Sequence, residues 1–165
     1  MKRSKTVLSV LSIAVIGLLA LGLTSTPAYA TAVTTTFLVT ANVQATCLIS
    51  AATLPFGTYS GTQIQTTSNI SVTCTNATGY TVGLDLGANY SSTQRRMVGP
   101  STNYLNYELF SDTLYSTTWG NAAGNWVSGT GNGAAQTLTV YGQLDGSQYP
   151  KVGAYTDTIT ATITY

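Results

Sequence analysis

Apolar and polar residues alternate with a period of two in several segments of this 165-residue chain. That spacing predicts β-strands with one buried face, and no segment after residue 30 shows a convincing helical period. Glycine, asparagine and serine separate the segments, as they do at turns. The apolar stripes are Phe37, Val39, Ala41 and Val43; the run from Leu48 to Phe56; Ile70, Val72 and Cys74; Tyr80, Val82, Leu84 and Leu86; Leu105, Tyr107 and Leu109; and Leu138, Val140 and Leu144.

The last segment of the chain has the clearest alternation. Threonines occupy every even position from Thr156 to Thr164. The odd positions carry Asp157 and an apolar set made up of Tyr155, Ile159, Ala161, Ile163 and Tyr165. Short strands of this kind predict an all-β fold, an antiparallel β-sandwich of Ig-like type, with a small barrel as the alternative.

The first thirty residues have the pattern of a secretory signal peptide. An apolar run from Val7 to Leu23 follows three basic residues, and a polar breaker then leads to a small-residue cleavage site that ends at Ala30. A membrane anchor is the alternative, but a run of about 17 apolar residues is short for a membrane span. We expect residues 1–30 to be removed, which leaves a mature chain that begins at Thr31 and has no membrane span.

Removal of that peptide changes the charge of the chain. Six Lys+Arg and five Asp+Glu become three basic and five acidic residues, a net charge of −2 over 135 residues. The mature chain therefore lacks the basic patch that nucleic acids require. Its abundant Thr, Tyr, Val, Leu and Ile favour pleated sheet over disorder, and its length suits one domain with its own core.

Cys47 and Cys74 are the two cysteines of the chain. In an exported protein, a lone pair most simply forms one disulfide. That bond would close a loop of 27 residues, which stabilises the fold by roughly 3 kcal/mol in the chain-entropy model. A metal site is the alternative, but it would require further ligands, and the chain has no histidine. We expect the disulfide, and no metal or other cofactor.

Both ends of the mature chain are strand patterns, and an alternating strand at a terminus promotes aggregation unless it is paired. The N-terminal segment, 31–44, lies outside the predicted disulfide loop. It could fold into its own domain, or it could fill a groove in another copy of the chain, which is a form of β-strand addition.

The order of several short motifs resembles the spore coat protein U domain family, which includes the subunits of archaic chaperone–usher pili. The likeness covers essentially the whole mature chain, and no single motif is specific by itself. The motifs are Cys47 after an alternating segment, Leu54-Pro55-Phe56-Gly57, Ile70–Cys74, Leu105–Asp112, Thr118-Trp119-Gly120, Val140-Tyr141-Gly142 and the closing run from Gly153 to Tyr165.

The resemblance implies an incomplete Ig-like sandwich, 45–165, which lacks its final strand. A periplasmic chaperone lends a strand first, and at the outer-membrane usher the N-terminal strand of the next subunit replaces it. The matching donor strand is 31–44, with Phe37, Val39, Ala41 and Val43 as its apolar face. The strand beside the vacant groove is Tyr155–Tyr165, and Cys47 and Cys74 match the family disulfide. Ala41 departs from the family pattern, because a bulkier apolar residue is expected there.

The sequence offers little catalytic chemistry. A Ser or Cys nucleophile usually needs a base such as histidine, which is absent. Glu108 and Asp112 are close in sequence, but we expect their spacing to cross from a strand into a turn. Asp157 could be a buried hydrogen-bonded acid, a capping group near the strand start, or a catalytic residue. We therefore predict that the chain is not an enzyme.

Three further features have competing interpretations. The run Gly129–Gly133 suggests a phosphate loop but lacks the lysine and the strand-to-helix context of one, so we expect a flexible surface loop. Arg95 and Arg96 could contact an anion, but a solvated loop is the simpler expectation. Trp119 and Trp126 could stack on a glycan or a surface, whereas we expect them to anchor the core or a loop.

The sequence as a whole predicts a secreted structural pilin. It would pass through the periplasm, polymerise with other copies or related subunits into a cell-surface pilus, and serve adhesion and biofilm formation. The single-domain length argues against a two-domain tip adhesin. The alternative is a secreted spore-coat or extracellular matrix protein of the same domain type.

Overall fold

The computed structural model describes residues 28–165, so the predicted signal peptide lies almost entirely outside the described residues. The chain divides after Thr40, and within 28–165 all of the strands lie in the second unit, 41–165. The strands are β1 (Cys47–Ala51), β2 (Ile64–Cys74), β3 (Gly79–Leu84), β4 (Arg95–Val98), β5 (Tyr104–Phe110), β6 (Val127–Thr130), β7 (Ala135–Leu144) and β8 (Ala161–Thr164). A 3₁₀ turn at Pro100–Thr102 lies between β4 and β5.

The eight strands form two separate antiparallel sheets. The first has the order β1-β2-β7-β5-β4, and the second has the order β6-β3-β8. The predicted antiparallel β-sandwich is thereby confirmed over the barrel alternative, because the strands form two sheets instead of one closed sheet. The sheet orders make β1 an edge of the first sheet and β8 an edge of the second.

The core lies between the sheets and is filled by the alternating apolar positions. On β2 and β3, the side chains of Val72, Val82 and Leu84 are buried completely or almost completely. Trp119 reaches the core from the long connection between β5 and β6, and its indole N–H donates to the Val82 carbonyl at 2.8 Å. The expectation that Trp119 anchors the core is confirmed, whereas Trp126 is 41% exposed.

The predicted disulfide between Cys47 and Cys74 is present. The two cysteines are direct partners in the antiparallel register of β1 and β2, with their Cα atoms 4.1 Å apart. The bond therefore attaches the first strand of the sandwich to the long strand beside it.

The strand predicted from Leu48 to Phe56 is shorter in the structure, because β1 ends at Ala51. The last backbone bond to β2 runs from the Ala52 N–H to the Asn69 carbonyl at 3.0 Å, and the Ser68 hydroxyl then shares its proton between the carbonyls of Ala52 and Thr53 at 2.9 and 3.0 Å. Pro55, which has no N–H, cannot donate a further ladder bond.

The prediction of a solvated loop at Arg95 and Arg96 is wrong, because both residues lie on β4. Arg95 is fully buried, and its Nη2 donates to the carbonyls of Asp85 at 2.7 Å and Trp119 at 2.8 Å. Its Nη1 lies 3.5 Å from the carboxylate of Glu108 on β5. Buried carbonyl groups at the end of β3 need donors, and the planar guanidinium supplies several in a fixed geometry.

The prediction of a flexible surface loop at Gly129–Gly133 is also wrong for its first half. Gly129 belongs to β6 and lies against the ring of Tyr80, where an added Cβ would collide. Gly131 is buried, and its N–H donates to the Thr78 carbonyl at 2.8 Å. These glycines are required because the backbone approaches other atoms closely.

Candidate assembly groove

An open groove with a volume of about 1090 Å³ lies on the sandwich. One wall is the segment 51–61, which leads from β1 to β2, and the other wall is the segment 148–159 with Ala161, which leads into β8. The base of the groove consists of core side chains and one serine. They are Ser68, Ile70, Leu84, Met97, Leu105, Tyr107, Leu109, Val140 and Leu144. The hydrophobic core therefore forms the base of a surface groove.

The segment from Thr156 to Thr160 approaches β8 without forming a regular ladder. Thr156 exchanges two backbone hydrogen bonds with Val98 on β4, and the carbonyls of Thr158 and Thr160 accept from the N–H groups of Ala88 and Asp85. From Ala161 onward the chain pairs with β3. The predicted continuous strand Tyr155–Tyr165 is therefore divided between the two sheets.

The main chain of this segment has one unpaired edge. The bonds to β4 and to the loop after β3 all involve even-numbered residues, from Thr156 to Thr160. Successive residues of an extended strand direct their N–H and C=O groups to opposite sides. The backbone groups of Asp157, Ile159 and Ala161 consequently face the other side, where β8 has no neighbouring strand.

The side chains of the same segment follow the alternation in the sequence. Tyr155, Ile159, Ala161 and Ile163 are half-buried and contact the core, whereas all the even-numbered threonines are exposed. Tyr165, which follows the last residue of β8, is 57% exposed.

Asp157 is a half-buried carboxylate in the wall of the groove. It accepts hydrogen bonds from the Tyr107 hydroxyl at 2.7 Å and from the side-chain amide and backbone N–H of Asn89 at 2.9 and 3.2 Å. Of the three alternatives for Asp157, the structure shows the hydrogen-bonded acid. Desolvation, and then the hydrogen bond to this carboxylate, raise the pKa of Tyr107.

The N-terminal residues predicted to form the donor strand are exposed and unpaired. Phe37 is 86% exposed, and Val39 and Val43 are each 78% exposed. Residues 28–46 form no strand, since extended backbone becomes a strand only when a partner supplies the hydrogen bonds. The large apolar side chains of this segment are thus available to another surface.

The remaining candidate acids have structural surroundings. Glu108 lies on β5, and desolvation raises its pKa even though Arg95 acts to lower it. Asp112 lies in the turn that follows, where it accepts backbone N–H groups of Leu114, Ser116 and Thr117. Desolvation acts to raise the pKa of Asp112, but these hydrogen bonds outweigh it and lower the pKa.

Two negative findings apply to the described residues. Within 28–165, no group of His, Cys, Asp or Glu side chains could hold a metal ion. Nor does that part of the chain contain a helix of the length and apolarity needed to cross a membrane.

Comparison with known proteins identifies the family. Residues 33–162 match the family model of the Spore Coat Protein U domain. The chain belongs to the Spore Coat Protein U domain family. The family match begins at Val33 and therefore includes most of the exposed N-terminal segment. It confirms the resemblance that the sequence motifs indicated.

One relative of this Spore Coat Protein U domain chain and one structure of similar fold are informative. Protein U of Myxococcus xanthus is 34% identical over 158 residues, which cover 84% of this chain and 88% of that protein. A similar fold occurs in the crystal structure of the CsuC–CsuE chaperone–tip adhesion subunit pre-assembly complex from archaic chaperone-usher Csu pili of Acinetobacter baumannii. The TM-score is 0.55 at 23% identity, over 74% of this chain and 40% of that chain. This chain therefore spans less than half of that solved chain, and the likeness concerns the fold.

The comparisons therefore establish the family and the fold. The chain is a Spore Coat Protein U domain protein, with the fold also found in a chaperone-bound pilus subunit complex. The groove, the free edge of β8 and the N-terminal segment are the features through which such a subunit could assemble.

Sequence reasoning missed two elements that shape the groove. β4 was not predicted because its sequence, Arg95–Val98, begins with two charges and does not alternate. Yet β4 holds Thr156 and so positions the start of the groove wall. The segment 148–154 was also missed as a groove wall, because loop residues carry no periodic pattern.

Proposed function

We propose that this chain is a pilin that polymerises by donor-strand complementation, in which residues 31–44 of the next copy fill the groove of the copy before it. The observation that supports this most strongly is a core-lined groove beside an unpaired strand edge, in a chain that also carries an exposed alternating apolar segment. The groove lacks a strand, and the segment lacks a partner.

Burial of the segment would provide substantial free energy. Phe37, Val39 and Val43 are largely exposed, and burying large apolar side chains contributes roughly 1.5–3 kcal/mol each. With Ala41 the total is on the order of 5–10 kcal/mol, as an upper estimate. That is comparable to the whole stability of a small domain, about 5–15 kcal/mol. The sandwich should therefore be marginal when empty and stable when filled.

The proposal includes the partners and the location. A periplasmic chaperone fills the groove before assembly, an outer-membrane usher exchanges it for the next subunit, and the product is a cell-surface pilus for adhesion and biofilm formation. The solved complex of similar fold contains a chaperone and a pilus subunit, which supports the chaperone as a partner. The protein has no enzymatic role in this proposal.

The deciding experiment replaces the apolar face of the segment without shortening it. Phe37, Val39 and Val43 are changed together to serine. The matched control changes Leu38, Thr40 and Asn42 to serine on the opposite face. Electron microscopy of producing cells and gel filtration of the secreted protein measure assembly. We expect fibres from the control and none from the first variant. A further chain with 31–44 moved behind residue 165 through a flexible linker should be a stable monomer.

A second candidate is a coat or matrix protein that does not use strand exchange. The observation in its favour is the 34% identity to Protein U and the name of the family itself. Intact polymers from the triple serine variant at Phe37, Val39 and Val43 would overturn strand exchange and leave this candidate ahead.

A further inference from the structure

The wall of the groove carries one half-buried charge, on Asp157, above a base made almost entirely of apolar core side chains. Among the residues that line it, only Lys151 and Asp157 carry a charge, and Asp157 is held in place by Tyr107 and Asn89. A large apolar side chain placed against the Asp157 carboxylate would strip it of remaining solvent without offering a hydrogen bond. The residue opposite Asp157 should therefore be small.

The donor segment has one small residue on its apolar face. That residue is Ala41, whereas the neighbouring apolar positions carry Phe37, Val39 and Val43. The groove wall has the reverse pattern, because Ala161 is the small residue among larger ones. In an antiparallel ladder, directly opposite side chains lie on the same face and contact each other. One register satisfies both constraints at once.

We propose that Asp157 sets the register of the incoming strand, with Ala41 of the next copy opposite Asp157 and Phe37 opposite Ala161. This inference rests on the proposed strand exchange. Val39 then lies opposite Ile159, and the added strand extends the second sheet beyond β8. The strand is antiparallel, as are all ladders among the described residues. A shift of two residues in either direction would place Val39 or Val43 on the carboxylate.

Cysteine pairs on the outer face test this register without disturbing the core. The odd-numbered residues of the wall direct their backbone N–H and C=O groups toward the new strand and form its hydrogen bonds. An even-numbered residue of the wall and the even-numbered donor residue opposite it therefore form a pair without hydrogen bonds to each other. Such pairs have Cα atoms about 4.5 Å apart, which allows a disulfide. The chain already contains a cross-strand disulfide, with Cα atoms 4.1 Å apart. The exposed Thr40 and Thr158 are opposite each other in the proposed register, as are Leu38 and Thr160.

The experiment uses the full chain in cells that assemble it, treated with diamide as the oxidant. Thr40→Cys with Thr158→Cys, and Leu38→Cys with Thr160→Cys, should each give a ladder of covalent oligomers on a non-reducing gel. Thr40→Cys paired with Thr156→Cys or with Thr160→Cys should not, and single-cysteine chains give the background. Cross-linking of either control pair instead would overturn the register but leave strand exchange intact. Covalent oligomers from the Thr40 and Thr158 pair, without oligomers from the Leu38 and Thr160 pair, would show a parallel strand and overturn the proposal.

Fibres with no cross-link in any pair would overturn the register, and the triple serine variant at Phe37, Val39 and Val43 would then decide whether strand exchange still holds. A wild-type chain that forms no polymer would overturn the proposed function and the register with it.

A pair of leucine variants measures the selection for a small residue. Ala41→Leu should reduce polymer yield by about tenfold or more, since overpacking against a fixed carboxylate is unfavourable. Asn42→Leu places the same leucine side chain on the outer face of the segment, one residue away, and should leave the yield within about twofold. Equal yields from the two variants would contradict a small-residue site at Asp157.

Discussion

Replacing Arg95 by methionine should destabilise the sandwich far more than the same change at Arg96. Arg95 is fully buried, pairs with Glu108 and donates to carbonyls at the ends of two segments, including those of Asp85 and Trp119. Methionine fills a similar volume but leaves these acceptors without donors. Each buried acceptor left without a donor costs about 1–3 kcal/mol, so the combined loss is a large fraction of a typical stability of about 5–15 kcal/mol.

The control at Arg96 differs in its surroundings. Its guanidinium lies 4.0 Å from the centre of the Tyr104 ring and donates to two carbonyls of the loop 89–90. Because the side chain is only half-buried, we expect Arg96→Met to cost about 1 kcal/mol or less. Urea unfolding of the self-filled chain, with 31–44 moved behind residue 165, measures both changes by tryptophan fluorescence. Trp119 is a direct reporter, since its carbonyl accepts from Arg95.

The difference between the two arginines is the decisive result. Equal losses at Arg95 and Arg96 would refute the argument that burial and unsatisfied carbonyls set the magnitude. If the Arg95→Met chain is already unfolded without urea, Arg95→Lys supplies the measurement. Lysine keeps the charge but loses the planar set of donors, so we expect an intermediate loss.

Three other predictions concern the disulfide, the last strand and pH. Changing Cys47 and Cys74 together to serine should lower the free energy of unfolding by about 2–5 kcal/mol, measured by urea unfolding; an unchanged value would contradict a stabilising bond. Ile163→Asp should abolish chaperone capture in a pull-down, because it places a charge against the hydrophobic core on β8, whereas Thr162→Asp on the exposed face should not; normal capture by both would contradict the assignment. The raised pKa of Glu108 means that the folded chain binds a proton more tightly than the unfolded chain. Stability should therefore fall as pH rises above the ordinary glutamate range, and Glu108→Gln should remove that part of the slope in pH-dependent unfolding.

The local pattern of the sequence determined the strands that have one buried face and one wet face. Alternation in β2, β3, β5 and β7 predicted which side chains fill the core, because a strand with a period of two has only one way to bury its apolar residues. The pairing of Cys47 with Cys74 followed from there being two cysteines. The exposed apolar alternation at Phe37 and Val39 was equally visible, because it does not depend on what covers it.

The tertiary structure alone decided the elements that depend on distant partners. Arg95 reads as a surface charge in the sequence, but carbonyls from the end of β3 and from Trp119 converge on it in the fold. In the sequence, Gly129 is typical of a loop, but in the fold Tyr80 occupies the space that a side chain at this position would fill. The groove wall from 148 to 154 has no periodicity at all. The environment of each of these residues is set by groups that are distant in the sequence. The local spacing of apolar and polar residues therefore cannot predict it.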